Sequence, residues 1–160
     1  MSKITIIMGS QSDLETVKAG IEILKDFKAD FQVKVLSAHR TPKELAAFVE
    51  ESTKKGTKVF IAAAGGSAAL AGVVAAHSIV PVIGIPIDTK SLKGLDSLLS
   101  TVQMPAGIPV ASMAIGSAGA KNAALFALEI LGLSDKAMAK KMLSFKKTMR
   151  SKILSTRLKI

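Results

Sequence analysis

The feature that most constrains this chain is an alternation. Short runs rich in Ile, Val, Phe and Ala stand at residues 4–8, 31–36, 59–63, 82–85 and 110–114. Between and after them lie longer stretches with helical spacing, at roughly 13–28, 43–55, 68–78, 92–101, 119–131 and 135–157. Parallel strands cannot be joined by a tight turn, and helix-length connections are what βαβ units require. The short runs read as continuous apolar stretches, as in strands covered on both faces. The pattern predicts an α/β chain with a doubly wound parallel sheet. At 160 residues it is long enough for one domain with a substantial core, and it shows neither an internal repeat nor a low-complexity linker. We expect an α/β domain over 1–133 and a basic amphipathic helix over 134–160.

Composition removes several classes of function. Cysteine is absent, which excludes disulfides, thiolate catalysis and Cys-ligated metals. Trp and Tyr are absent too, leaving six Phe and two His for any stacking site. The N-terminal "KITIIMGS" is too short an apolar run, with the wrong flanks, for a signal peptide or membrane span, so a cytoplasmic location is expected. The net charge of +10 resembles a nucleic-acid signal until it is mapped: residues 1–133 carry a net +2 and residues 134–160 a net +8. The tail opens on Ser134-Asp135, read as an N-cap and a first-turn acid. Met138, Met142, Phe145, Met149 and Ile153 then recur on one helical face, with Lys140, Lys141, Lys146, Lys147 and Lys152 largely off it. The expectation is a helix docked on the body or on a neighbouring subunit, with neither nucleic acid nor membrane as partner.

In a parallel sheet every strand ends on the same edge, and ligands bind outside those ends. This rule gathers three distant segments. In "MGSQSD" (8–13), Ser10 and Ser12 place hydroxyls beside the free N–H groups of a helix start, which suits a phosphate or carboxylate. Asp13 would repel phosphate; it serves either as a helix cap or as an acceptor for a sugar diol. In "SAHRTP" (37–42), Pro42 after Thr41 marks a helix start. Arg40 beside it is a candidate phosphate clamp, and His39 carries an imidazole, which can give and take a proton. An isolated His-Arg pair is more often surface; its place at a strand's carboxyl end favours function. In "AAAGGSAALAG" (62–72), the glycine pair allows close backbone approach and Ser67 is placed to cap the next helix. The second histidine, His77, lies late in that helix and reads as structural or surface. The loops offer one proton-transfer ring, with no metal-ligand cluster, paired acids or Ser-His-Asp set.

Four segments in order, "IIMGSQSD", "LSAHRTP", "GLDSLLSTVQMPAGIPVASMAIG" and "AGAKNAALFALEIL", closely resemble the N5-carboxyaminoimidazole ribonucleotide mutases of de novo purine synthesis. The resemblance covers residues 4–131. It implies a flavodoxin-like fold, a homo-octamer, and no metal or organic cofactor. The implied reaction moves a carboxylate from the exocyclic nitrogen to ring C4 of an aminoimidazole ribonucleotide, through decarboxylation to trapped carbon dioxide and recarboxylation. His39 matches the proton-shuttling histidine of the family. Ser10, Asp13 and Arg40 match its substrate contacts, with Ser12 and Ser37 as additional partners.

One segment departs from the mutase pattern. The third loop reads "GGSAALAG" where mutases resemble GGAAHLPG, placing Ala69 at a histidine position and Ala71 at a proline. The related carboxylases, which use carbon dioxide directly, have a loop similar to GRSNALSG, and this is the alternative activity. From other classes, a flavodoxin-like FMN-binding protein would stack its flavin on Trp or Tyr, which are missing. An RNA-binding protein is suggested by the tail alone.

Overall fold

The computed structural model describes residues 2–158. The elements in chain order are β1 (Ile4–Met8), α1 (Leu14–Asp26), β2 (Phe31–Val35), α2 (Pro42–Lys54), β3 (Val59–Ala64), α3 (Leu70–Ala76), β4 (Val82–Pro86), α4 (Leu95–Val102), β5 (Ala111–Ser112), α5 (Ser117–Gly132) and α6 (Lys136–Leu154). A single 3-10 turn, Gln11–Asp13, leads into α1. All strand pairs are parallel, in the order β2-β1-β3-β4-β5. This is the flavodoxin-like order, and the expected strands and helices are all present with small shifts at their ends.

Side chains alternate across a strand, and the two faces of the sheet collect different partners. Ile4, Ile6 and Met8 of β1 join Ile61, Ile83 and Ile85 on one face, beneath α1, α5 and the start of α6. Ile7, Phe60, Ala62 and Val82 point to the other, beneath Leu45 and Val49 of α2 and Leu70 and Val74 of α3. The polar Thr5 is fully buried, and its hydroxyl meets that of Thr57 at 2.9 Å and the Gln32 amide at 2.9 Å. Its burial therefore leaves no orphaned polar group.

Two elements differ from a fully covered sheet. β2 has one strand neighbour, and Val33, Lys34 and Val35 are exposed. Its sequence FQVKV already interleaves polar residues, as an edge strand does. β5 forms only a two-residue ladder, and the chain continues alongside β4 through the Met113 N–H to Gly84 carbonyl and Gly116 N–H to Pro86 carbonyl bonds.

The tail helix docks by its first half. Asp135, not Ser134, is the N-cap: its Oδ1 accepts from the N–H groups of Ala137 (3.0 Å) and Met138 (3.1 Å). The carboxylate reaches these donors one residue nearer the helix, and they hold its pKa below the ordinary value. Met138 and Met142 are buried, and Phe145 meets Phe27 edge-on with centroids 5.6 Å apart. Lys141 is not simply solvated, because its Nζ donates to the Phe27 carbonyl at the end of α1 (2.7 Å). Met149 and Ile153 continue the stripe but are exposed. No helix among the described residues is long and apolar enough to cross a membrane.

α1 and α5 lie against each other with little side chain between them. A Cβ built at Gly20 of α1 would sit 2.5 Å from the carbonyl oxygen of Ala120 in α5. This contact explains the alanines of "AGAKNAALFALEIL": small residues let two helices cover one face of a narrow sheet. Gly20→Ala sets two effects in opposition. Better helix propensity favours it by about 1 kcal/mol, while overpacking against a backbone atom costs about 1–3 kcal/mol. A carbonyl in a packed helix cannot swing aside as a side chain can, so net destabilisation is expected as a lower urea midpoint. A raised midpoint would show that the helices separate freely.

Candidate active site

The strand order reverses direction between β1 and β3, and the crevice outside their carboxyl ends is where such sheets bind ligands. A cavity of about 590 Å³ lies there, within the range of small-molecule sites. Four loops build it.

The first loop follows β1. Ser10 adopts extended backbone (φ −150°) and starts the 3-10 turn. The Ser12 hydroxyl donates to Ser10 Oγ at 2.9 Å, and the Asp13 carboxylate accepts the Ser10 N–H at 3.0 Å. Asp13 is therefore the partner of the Ser10 cap in a capping box that closes the 3-10 turn; it makes no side-chain cap bond to α1 itself, and it also lines the cavity. Its side chain is almost wholly buried. Burial pushes its pKa above the ordinary carboxylate value, against the opposing pull of the Ser10 N–H, the Ser12 hydroxyl, the Gly9 N–H and the Arg40 charge.

The second loop follows β2 and is closed by one residue. Thr41 Oγ1 accepts the Ser37 N–H (2.9 Å) and donates to the Ser37 carbonyl (3.0 Å), while Pro42 opens α2. Ser37 Oγ in turn accepts from the backbone N–H of Arg40 (3.2 Å) and from its Nε (3.4 Å). The tight turn leaves His39 and Arg40 exposed on the cavity wall. One arm of the Arg40 fork reaches across to the Gly9 carbonyl (3.0 Å) and ties this loop to the first.

The third loop follows β3. Gly66 has φ +69°, a conformation only glycine adopts without strain. Ser67 does not cap α3 as expected: the helix begins three residues later, with Ala69 at its N-cap and no side-chain cap bond. Ser67 and Ala69 instead face the cavity.

The fourth loop, after β4, was not singled out from the sequence. Ile87, Asp88 and Thr89 complete the wall. Thr89 is fixed by its hydroxyl, which donates to Asp96 Oδ1 (2.7 Å) and accepts the Gly94 N–H (3.2 Å). The signal was available, because the rule that gathers three strand ends on one edge gathers the fourth as well.

Ser10, Ser12, Asp13, Ser37, His39 and Arg40 thus share one cavity. His77 does not join them: it is exposed at the end of α3, with Nδ1 3.3 Å from Glu50 Oε1. Among the described residues no three His, Asp or Glu side chains converge as metal ligands. The cavity offers one imidazole, one guanidinium, two carboxylates and several hydroxyls. This is a flavodoxin-like α/β protein with a polar cavity at its switch point. The chain belongs to the AIR carboxylase family, whose profile matches residues 3–152. The N5-carboxyaminoimidazole ribonucleotide mutase of Saccharolobus solfataricus is 52% identical, with 99% of each chain covered. The Pyrococcus abyssi protein of the same name is 51% identical over 94% of this chain and 85% of its own. The crystal structure of Treponema denticola PurE superposes with a TM-score of 0.86 at 31% identity, covering 94% of this chain and 93% of that one.

The raised pKa of Asp13 has a consequence for stability. The folded protein holds that proton more tightly than the unfolded chain does. The resulting stabilisation is complete below the ordinary carboxylate pKa and is lost as pH rises through the raised value. Asp13→Asn removes this dependence. The difference in Tm, wild type minus variant, is therefore expected to fall as pH is raised from about 3.5 to about 7. A difference that is flat or rises with pH would mean that the N–H donors outweigh burial.

Proposed function

We infer that this chain is an N5-carboxyaminoimidazole ribonucleotide mutase, an isomerase of purine biosynthesis that forms 4-carboxy-5-aminoimidazole ribonucleotide. The observation that carries this reading is near-half identity, over almost the whole chain, to proteins of that name. The cavity has the chemistry the reaction needs. Ser10 and Ser12 at the start of α1, with the Arg40 guanidinium, hold the phosphate. Asp13 and Ser37 accept and donate hydrogen bonds at the ribose end. His39 moves the proton. The exocyclic N–C bond breaks to release carbon dioxide, and the nitrogen takes up a proton. Ring C4 then attacks the trapped carbon dioxide and gives up its own proton. One imidazole suffices, because the proton gained at nitrogen balances the proton lost at C4. No metal or organic cofactor takes part in this scheme.

The third loop favours a second reading. "GGSAALAG" leans towards the carboxylase pattern, and Ala69 lies on the cavity wall. In that reaction free aminoimidazole ribonucleotide takes carbon dioxide from solution at the same C4.

The working unit in this proposal is a cytoplasmic homo-octamer, with 1–133 as catalytic domain and 134–160 as an appended helix. Supporting it, α4 and its approach turn Leu92, Leu95, Leu99 and Val102 outward, each about half exposed. Two of the tail's cations are held by the body of the domain rather than presented to a nucleic-acid or membrane partner. Lys141 is engaged by α1, and Lys146 Nζ lies 2.6 Å from Glu129 Oε1.

Two measurements test these readings. Supplied with the N-carboxylated nucleotide in bicarbonate-free buffer, the protein is expected to form the C4-carboxylated product; product that needs free aminoimidazole ribonucleotide plus bicarbonate would establish the carboxylase. In the same assay His39→Asn should lose about 10²–10⁴-fold in turnover while keeping its fold, and near-normal turnover would remove His39 from the mechanism. Sedimentation of the wild type should show an octamer, and a fully active monomer would contradict the assembly.

A further inference from the structure

α4 is turned inside out. Its buried residues are Ser97 and Thr101, while Leu95 and Leu99 face outward and Leu98 is half-buried. Burying two hydroxyls in place of leucines is unfavourable unless each is fully bonded. The bonding of Ser97 shows what this burial achieves. Its Oγ is completely inaccessible, accepts the Gly66 N–H at 2.9 Å and donates to the Ile87 carbonyl at 2.8 Å. One hydroxyl thus joins the third loop to the fourth. Gly66 is the left-handed residue at which the third loop turns, and Ile87 begins the fourth loop, just before Asp88 and Thr89. Among the described residues neither the Gly66 N–H nor the Ile87 carbonyl has another hydrogen-bond partner. The neighbouring hydroxyl behaves differently: Thr101 Oγ1 donates at 2.7 Å to the Ser97 carbonyl within its own helix and touches no loop.

We propose that Ser97 is a positioning residue for catalysis, holding the third and fourth loops in register across the cavity although it touches no substrate itself. This rests on the function proposed above. There the first loop and Arg40 anchor the phosphate, and the third and fourth loops wall the remainder of the ligand. Loss of the bridge therefore acts on the reacting end more than on the anchored end. A misplacement of about 1 Å there costs up to about a hundredfold in rate, whereas phosphate binding is untouched.

The test pairs Ser97→Ala with Thr101→Val, which removes a buried hydroxyl from the same face but breaks no loop contact. Turnover is followed with the N-carboxylated nucleotide, and hydrogen exchange is followed by mass spectrometry in the peptide spanning residues 64–70. Ser97→Ala is expected to lower kcat at least about tenfold with KM changed less than about threefold, and to speed exchange in that peptide. Thr101→Val is expected to do neither. Should Ser97→Ala fail to fold, Ser97→Cys, close in size but a weaker hydrogen bonder, replaces it in the same comparison. Equal kcat in the Ser97 and Thr101 variants, a loss carried by KM alone, or unchanged exchange over 64–70 would overturn the proposal. An inactive wild type would instead refute the function, while the exchange comparison would still report whether Ser97 holds the loop.

Discussion

The rest of the structure depends on strand direction. A chain that lays five strands parallel must return each time to the same starting edge, so a helix or long connection has to cross a face of the sheet. Two consequences follow at once. Helices cover both faces, and all strands release their chain at one edge, where four loops meet. The right-handedness of these crossovers places α1 and α5 on one face and α2 and α3 on the other. The crevice lies between β1 and β3, where the winding changes side. The cavity is therefore a result of topology before any catalytic residue is considered.

What the residues add is rigidity without bulk. The loops are rich in Gly, Ser, Thr and Ala, and their shape is held by short side-chain to backbone bonds. Thr41 locks the second turn, Asp13 locks the first, and Arg40 joins the two through the Gly9 carbonyl. Each such bond contributes only about 1 kcal/mol net, yet an unmade one at a buried group costs more. The walls consequently favour a single arrangement while remaining thin enough to leave a polar cavity. The arrangement also carries a cost: the buried Asp13 carboxyl is ionised with difficulty, and only its ring of donors and the nearby guanidinium make the charge tolerable.

Much of this was legible because local and global preferences agree. β1 runs over the residues its apolar run marked, and Pro42 opens α2 as an N-terminal proline should. The first two loops were legible from a rule about strand ends combined with the chemistry of Ser, His and Arg. Other features were decided by tertiary contacts that no short window contains. Ser67 had the right residue type for a cap, but the Gly66 turn delays the helix and leaves Ser67 on the wall. The tail stripe is continuous in sequence, yet only Met138, Met142 and Phe145 pack into the core; Met149 lies half-exposed on a groove beside Asn122 and Leu125 of α5, and Ile153 is exposed. Ser97 could not be recognised at all, since a serine in an otherwise leucine-rich helix reads as surface.

The inverted α4 is the clearest case in which pattern and placement part, and its physics links the site to assembly. A helix of eight residues has little intrinsic stability. On this domain its inner face contributes hydrogen bonds from Ser97 and close contact between Thr101 and Gly84, but little apolar burial. Leu95 and Leu99 are each about half exposed, so covering them would add roughly half of the about 1.5–3 kcal/mol of a full burial, comparable to the inner bonds. In the proposed assembly, a neighbouring subunit resting on that row would add to the stability of α4. The same helix holds the third and fourth loops from its other face. If the proposed octamer covers this row, its interface and the order of the cavity would be coupled, because both would act on opposite sides of one short helix.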